Sequence, residues 1–136
     1  MMVYVMMNIF GGGWGGRSNG DGESASVSIC QGDVRNTPVE LQEIHYPFLV
    51  EYHKLREDSG GPGRYRGGLG IELKYKSLEK STVNVMLERI IEPPWGMEGG
   101  HDGRSNAAVL HNDSGDRGVT KESNIPLHAG DTIIFC

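Results

Sequence analysis

Apolar and polar residues alternate along several short stretches of the chain, as they do in β-strands that bury one face. Residues 71–75 alternate most cleanly, and residues 83–87 repeat the pattern after a short polar segment at 77–81. Two such strands joined by a few turn-forming residues favour an antiparallel hairpin. We therefore expect residues 71–75 and 83–87 to pair with each other.

Other stretches of strand length predict further strands. Residues 48–56 combine an apolar start with alternation, residues 105–111 place apolar side chains on one face, and residues 132–135 form a short apolar run. Residues 2–10 are also apolar, but they are too few to span a membrane and lack the basic start and cleavage pattern of a signal peptide. We interpret them as a buried strand.

Helical periodicity is weak throughout the chain. Pro38 precedes a helix-compatible stretch at residues 39–44, and proline suits the first turn of a helix; residues 21–26 could begin a second short helix. Residues 112–117 predict a turn, and residues 118–127 predict an extended connector. The predicted fold is mainly β (β-rich α+β), an antiparallel sheet or sandwich with long glycine-rich loops and at most one or two short helices.

The composition limits the size of the core and the class of partner. The 136 residues predict a single domain over residues 1–136, or a piece of a larger protein, and 21 glycines with 37% hydrophobic residues predict a modest core with many loops. The 13 lysines and arginines are dispersed and outnumbered by 18 acidic residues, giving a net charge of −5. This balance argues against nucleic-acid binding.

The two cysteines indicate the redox state of the cellular compartment. Cys30 and Cys136 are far apart in sequence and show no metal-ligand spacing, so we expect free thiols in a reducing compartment. Without a predicted membrane segment, this favours a cytoplasmic protein that makes no membrane contact. No HxH or HExxH spacing predicts a metal site, and Cys30 has no adjacent histidine to activate it as a nucleophile.

The glycine-rich loop at residues 58–70 reads DSGGPGRYRGGLG. It cannot be a helix interior, because each glycine costs about 1 kcal/mol there relative to alanine and proline about 3 kcal/mol. Flexible spacers rarely carry large side chains. Arg64, Tyr65 and Arg66 in the middle of this loop therefore favour an ordered conformation over a spacer.

Two further glycine-rich loops, residues 15–17 and 99–104, also contain arginine. Glycine lets backbone N–H groups face a ligand, and arginine offers a planar fork for carboxylate or phosphate, so the loops together could bind an anion. Alternatively, the glycines serve turns and the arginines pair with nearby acidic residues. Neither a dinucleotide-binding fingerprint nor a phosphate loop is present, because no helix pattern and no GK[ST] follows the glycines. Trp14 and Trp95, each beside glycine, could be packing anchors or walls of a site.

Six motifs occur in a fixed order along the chain: GGGWGGR (11–17), DGESA (21–25), GDVRNTPVE (32–40), DSGGPGRYRGGLG (58–70), ER (88–89) and PPWGMEGG (93–100). As a set they resemble the C-terminal part of the hydantoinase B/oxoprolinase family. That family includes the B component of N-methylhydantoinase, the matching half of 5-oxoprolinase and the alpha subunit of acetone carboxylase. The resemblance covers residues 11–132, nearly the whole chain.

The resemblance implies part of a B component of an ATP-dependent cyclic amidase. An A-type subunit would hydrolyse ATP, the substrate would be a small lactam or hydantoin such as 5-oxoproline, and the complex would be a hetero-oligomer. The motifs offer Asp33, Asn36 and Asp58 as candidate catalytic residues. Candidate residues for binding substrate or an anionic intermediate are Arg17, Arg64, Arg66 and Arg89.

Family members are several times longer than this chain, so the resemblance implies a fragment, and we expect the fragment alone to be inactive. The region absent here would precede it and could hold a divalent metal; this fragment itself predicts no bound cofactor. Two alternatives stay open: a non-catalytic assembly fragment that docks through Trp14 and Trp95, and part of a carboxylase of the acetone carboxylase type.

Overall fold

Strands dominate the architecture. A computed structural model describes residues 5–32 and 34–136. The regular elements in chain order are a 3-10 turn at Ile29–Gln31, α1 (Val39–His45), β1 (Phe48–Leu55), β2 (Ile71–Ser77), β3 (Ser81–Met86), β4 (Ala108–Asn112), β5 (Gly115–Val119), β6 (Lys121–Leu127) and β7 (Thr132–Phe135). The mainly β prediction with one or two short helices is confirmed.

The larger sheet has five antiparallel strands in the order β1-β2-β7-β4-β5. Its central strand is β7, which lies between β2 and β4 although it is the last strand of the chain. Alternation decides which face is buried: Leu73 and Tyr75 of β2 turn to the core together with Ile133 and Phe135 of β7. The strand predicted at residues 132–135 is confirmed at its full length.

The smaller sheet consists of β3 and β6. Val85 of β3 and Ile125 and Leu127 of β6 belong to the same buried cluster as the core residues of the larger sheet. Both sheets therefore contribute to one hydrophobic core. Burial of this apolar surface is what holds the two sheets together, because the chain has few helices to cover them.

The predicted hairpin between residues 71–75 and 83–87 is wrong. Both stretches are strands, but β2 pairs with β1 and β7, whereas β3 pairs with β6. The connector predicted at residues 118–127 is also wrong, because most of it forms β6. Apolar and polar residues do not alternate regularly along β6 because the strand is irregular in its middle. Asn124 has a φ of 59°, and the pairing register shifts between Val83 and Val85 of the partner strand.

The N-terminal prediction fails in the part that can be seen. Residues 5–10 form no strand, and residues 2–4 lie outside the described residues. Phe10 nevertheless packs on the core, with its ring centroid 5.0 Å from that of Phe135. The second short helix suggested at residues 21–26 is absent as well; instead Ser26 forms an isolated bridge with Gly12.

The helix α1 begins after Pro38, as predicted, and lies against β1. Its side chain Glu43 accepts a hydrogen bond from the Val50 backbone N–H at 2.8 Å. The chain then becomes extended at Tyr46, the residue before Pro47, where proline disfavours helical backbone. This short element places Gln42, which is buried, over the edge of the larger sheet.

Candidate functional site

A cavity of about 460 Å³ lies where α1, β1 and β2 meet the N-terminal segment. Residues 8–11, 25–27 and 36–39 form part of its wall, together with side chains from α1, β1 and β2. Its size falls within the range of about 300–1,000 Å³ that small-molecule sites occupy. The walls are mixed: apolar side chains such as Phe10, Val50 and Leu73 alternate with uncharged polar ones such as Asn36 and Gln42.

A chain of hydrogen bonds crosses the cavity wall. Asn8 Nδ2 donates to the Tyr75 hydroxyl at 2.5 Å, and that hydroxyl donates to Gln42 Oε1 at 3.5 Å. Gln42 Nε2 donates to the Thr37 carbonyl at 2.7 Å. The bond to Thr37 fixes the orientation of the Gln42 carboxamide, so its Oε1 is held beside the Tyr75 hydroxyl as an acceptor.

Tyr75 is locked in place by aromatic packing. Its ring lies edge-on to Phe48 with centroids 4.8 Å apart, and edge-on to Phe135 at 6.4 Å. Burial raises the pKa of the Tyr75 hydroxyl, and the hydrogen bond from Asn8 opposes this in part. The hydroxyl is therefore a proton donor throughout the neutral range.

The cavity carries little charge. None of the described residues that line it is Asp, Glu, Lys or Arg, and His53 on β1 is the titratable side chain there besides Tyr75. A charged ligand would have to give up water without gaining an opposite charge from these side chains. The lining therefore suits an uncharged small molecule with one or two polar groups.

The predicted catalytic candidates lie in different places. Asn36 lines the cavity. Asp58 lies in the turn after β1, exposed and with φ of 54°, and it does not line the cavity. Asp33 lies outside the described residues. The roles proposed for these three residues stay predictions.

A second region is a layer of extended segments with many glycines, which we call the glycine layer (residues 11–26, 58–70 and 93–104). Its segments bond to each other through their backbones: Gly68 N–H donates to Trp14 O at 2.8 Å, and Gly22 N–H donates to Arg66 O at 2.8 Å. His101 N–H donates to Pro62 O at 2.9 Å. The loop at residues 58–70 is therefore ordered, as predicted.

Glycine is required in this layer because the backbones nearly touch. A Cβ at Gly68 would lie 1.9 Å from Glu23 O, and a Cβ at Gly61 would lie 2.2 Å from His101 O. Side chains at these points cannot be accommodated without moving a neighbouring backbone. The indole of Trp14 is tied to the same layer, since its Nε1 donates to Val27 O at 3.3 Å.

The predicted anion-binding arginines are spread along this layer and its neighbouring loop. Arg17 forms an exposed ion pair with Glu23, with Nη2 and Oε1 3.7 Å apart. The Arg64 guanidinium lies over the Tyr65 ring at 5.6 Å. Because the segment of Arg17 runs beside the segment of Arg66, the layer brings three of the four arginines to one region.

The fourth arginine, Arg89, lies on the loop after β3. Its guanidinium stacks over the Trp95 ring at 4.5 Å, which is cation–π geometry. Trp95 is 63% exposed and is a surface side chain in the described structure. The arrangement presents a flat cationic and aromatic surface to solvent.

The described residues contain neither a metal-binding cluster nor a membrane-spanning helix. Among residues 5–32 and 34–136, no group of three or more His, Cys, Asp or Glu side chains is placed to hold a metal ion. In the same part of the chain, no helix is long and apolar enough to cross a membrane.

A family model described as hydantoinase B/oxoprolinase matches residues 2–136. The chain belongs to the hydantoinase B/oxoprolinase family. The family resemblance drawn from the ordered loop motifs is thereby confirmed, and the loops that carry it are the segments of the glycine layer together with residues 32–40 and 88–89.

The known proteins that this chain matches are much longer than it is. It is 32% identical over 133 residues to the B component of a putative D-/L-hydantoinase from a Pseudomonas species, covering 96% of this chain and 22% of that protein. The ATP-dependent caprolactamase of Pseudomonas jessenii matches with a TM-score of 0.77 and 26% identity, over 91% of this chain and 23% of that one. Across eight curated relatives that match, the chain spans between 7% and 22% of their length.

A nucleotide-free acetone carboxylase structure also has the same fold. It matches with a TM-score of 0.73 and 18% identity, over 92% of this chain and 21% of that one. At this identity the likeness concerns the fold alone.

Sequence reasoning missed the polar residues that converge on the cavity. The sequence predicts only a strand around Tyr75 and only a short helix around Gln42. The available signal was weak: a glutamine in a short amphipathic helix becomes informative only once it is known to be buried. Asn8 lies in an apolar stretch predicted as a strand, so nothing in the sequence indicates that it bonds to the Tyr75 hydroxyl.

Proposed function

We propose that this chain is part of the B component of an ATP-dependent enzyme that hydrolyses a cyclic amide, a lactam or hydantoin, together with an A-type subunit that hydrolyses ATP. The observation that carries the proposal is the likeness over 91% of the chain to an ATP-dependent caprolactamase. The similarity to a protein named as the B component of a hydantoinase supports the same assignment. Both are proteins named for action on ring amides.

The geometry is compatible with such a substrate. A lactam or hydantoin is a small ring that combines apolar carbons with amide groups, and the cavity lining combines apolar side chains with uncharged polar ones. Asn36 at its wall and the arginines of the glycine layer supply groups for the later steps. Arg17, Arg64 and Arg66 would bind a phosphorylated or carboxylated intermediate, because guanidinium groups match such oxyanions.

The sequence supports a division of the reaction between the two subunits. No phosphate-binding GK[ST] motif is present, so ATP would be bound by the A-type partner. Any divalent metal would be held by the part of the B component that lies beyond this chain. In this scheme the enzyme works in the cytoplasm, where the partner finds ATP and Cys30 and Cys136 remain thiols.

A chimeric B component tests the proposal. This chain would replace the matching segment of a longer relative, and the complex with the A-type partner would be assayed for release of ADP with ε-caprolactam, hydantoin or 5-oxoproline. We expect ATP hydrolysis that depends on one of these ring amides. If none of them stimulates ATP hydrolysis and acetone with bicarbonate does, the proposal is wrong and the chain serves a carboxylase.

Two arginine variants test whether Arg66 binds the anionic intermediate. In the same chimera, Arg66→Met should lower ring-amide-dependent ATP hydrolysis at least tenfold, since each charge-assisted hydrogen bond lost is worth roughly that factor. Arg117→Met is the control, because Arg117 pairs with Glu122 at 2.8 Å between β5 and β6. Equal effects of both variants would contradict a binding role for Arg66.

A second candidate function is a non-catalytic assembly module. The observation that favours it is the set of large apolar side chains exposed on the loop after β3: Ile91 is 86% exposed, Trp95 63% and Met97 75%. In this case Trp95→Ala would prevent the chimera from assembling with the A-type partner in size-exclusion chromatography. Normal assembly of the Trp95→Ala variant would rule against this module.

A further inference from the structure

The cavity contains a donor and an acceptor held side by side. The Tyr75 hydroxyl and Gln42 Oε1 are 3.5 Å apart, both residues are only 8% exposed, and both line the cavity. At this separation the hydrogen bond between them is at its outer limit of length and therefore weak. A ligand that accepts from the hydroxyl and donates to the carboxamide oxygen would replace one weak bond by two good ones.

Ring amides have the complementary arrangement. An open-chain amide keeps its N–H and C=O on opposite sides, because the trans form is strongly preferred. A small ring forces the amide into the cis form, so its N–H and C=O point to the same side. Such a group can accept from Tyr75 and donate to Gln42 at the same time.

From this geometry we infer that the cavity binds an uncharged cyclic secondary amide, whose carbonyl accepts a hydrogen bond from Tyr75 and whose N–H donates to Gln42. The inference rests on the proposed function for the class of reaction and narrows its substrate. The supports hold both groups in advance: Asn8 Nδ2 bonds the Tyr75 hydroxyl at 2.5 Å, and Gln42 is fixed to Thr37. Such preorganisation lowers the entropic cost of binding.

The absence of charge in the lining narrows the ligand further. The described residues of the cavity wall include no lysine or arginine that could neutralise a carboxylate. A neutral lactam or hydantoin should therefore bind more tightly than 5-oxoproline, which carries a carboxylate. The anionic intermediate would use the arginines of the glycine layer instead of this cavity.

Binding can be measured without a partner and without ATP, by titrating the full chain with ring amides and following backbone amide resonances by NMR. We expect ε-caprolactam to shift resonances of residues around the cavity in a saturable way. N-methylcaprolactam, which lacks the N–H, and the open-chain N-methylacetamide should bind at least about tenfold more weakly, as expected for the loss of a hydrogen bond in a buried site. Equal binding of ε-caprolactam and N-methylcaprolactam would overturn the inference.

Two variants separate the hydroxyl from general effects on stability. Tyr75→Phe keeps the aromatic packing and removes the donor, so it should weaken ε-caprolactam binding about tenfold. Tyr52→Phe removes a hydroxyl from β1, outside the cavity lining, and should leave binding unchanged. If the chain alone does not hold its fold, the same titration is made on the chimeric complex. Unchanged binding by Tyr75→Phe would refute the role of Tyr75.

This test and the test of the proposed function fail independently. Suppose that Tyr75→Phe weakens lactam binding but the chimera shows no ring-amide-dependent ATP hydrolysis. That result would support the cavity as a ring-amide site and refute the proposed reaction. Ring-amide-dependent ATP hydrolysis that is unchanged by Tyr75→Phe would keep the reaction and refute the binding site.

Discussion

Replacing Gly68 by alanine should destabilise the chain far more than a typical loop substitution. Gly68 lies in the glycine layer, where a Cβ would be 1.9 Å from the carbonyl oxygen of Glu23 and 2.4 Å from its carbonyl carbon. Real Cβ atoms do not approach backbone atoms so closely. The obstacle is backbone, so it cannot rotate away as a side chain could, and the two segments must separate.

The cost can be estimated from what the separation breaks. Overpacking a well-filled site costs about 1–3 kcal/mol. The hydrogen bond from Gly68 N–H to Trp14 O, 2.8 Å long, would be weakened as well, at about 1 kcal/mol. We therefore expect a loss of about 3 kcal/mol, which is a large fraction of the roughly 5–15 kcal/mol that a domain of this kind possesses.

Gly12→Ala is the matched control. Gly12 lies in the same layer and bonds to Ser26, but nothing lies within 4 Å of a Cβ placed on it. Alanine there should change the free energy of unfolding by less than about 0.5 kcal/mol, as surface substitutions usually do. Equilibrium urea unfolding of both variants, followed by tryptophan fluorescence, gives the two values. If Gly68→Ala unfolds within about 0.5 kcal/mol of Gly12→Ala, close backbone packing does not explain this glycine.

Three further predictions concern single side chains outside the cavity. Burial, and to a smaller extent the neighbouring Glu72 carboxylate, raises the pKa of Tyr52 from 10.0 to about 12. The protonated hydroxyl therefore contributes stability that is complete below pH 10 and is lost as the pH rises through 12. Tyr52→Phe should accordingly make the urea midpoint fall less steeply between pH 10 and pH 12. Asp21→Ala should lower the free energy of unfolding in urea by about 1–2 kcal/mol, because Asp21 Oδ1 accepts a hydrogen bond from the backbone N–H of Arg66 at 2.8 Å. Arg66→Met keeps that backbone hydrogen bond and should lower it by less than about 0.5 kcal/mol. Similar losses of stability in the two variants would contradict this role of Asp21. Ser59→Ala should cost about 1–2 kcal/mol by leaving the N–H of Gly70 without its acceptor at 2.8 Å, and a normal thermal midpoint for this variant would disprove it.

Local patterns predicted the elements but not their partners. Alternation in β2 and the apolar run in β7 were visible in the sequence, and both strands formed where expected. Their pairing was not visible, because β7 inserts between β2 and β4 from the far end of the chain. Which strand neighbours which is decided by burial of both faces in three dimensions, and a single sequence carries little record of it.

The glycine layer was predicted only in part. Arg64, Tyr65 and Arg66 correctly indicated that residues 58–70 are ordered, because such side chains are unusual in spacers. The partner segments could not be found in the same way. Glycine has no side chain whose pattern could report a neighbour, so the contact between Gly68 and Glu23 became evident only with the backbone in place.

The candidate site was even less predictable, because it depends on the distance between two side chains that are far apart in the sequence. Strand β1 and the glycine-rich loop at residues 58–70 separate Gln42 from Tyr75 in the sequence, and neither residue forms part of a motif. Only folding brings the hydroxyl and the carboxamide oxygen to 3.5 Å. The arginine-containing loops, by contrast, were visible as motifs because glycine and arginine are compositionally unusual together.

The cavity and the glycine layer share part of their structure, and this links the stability prediction to the binding prediction. Ala25 and Ser26 line the cavity, while the Ala25 N–H donates to Leu69 O at 2.8 Å within the layer. Separating the layer at Gly68 would therefore move a wall of the cavity without touching Tyr75. Because a rigid wall keeps apolar contact with a bound ring, Gly68→Ala should weaken ε-caprolactam binding even where the protein remains folded, whereas Gly12→Ala should not.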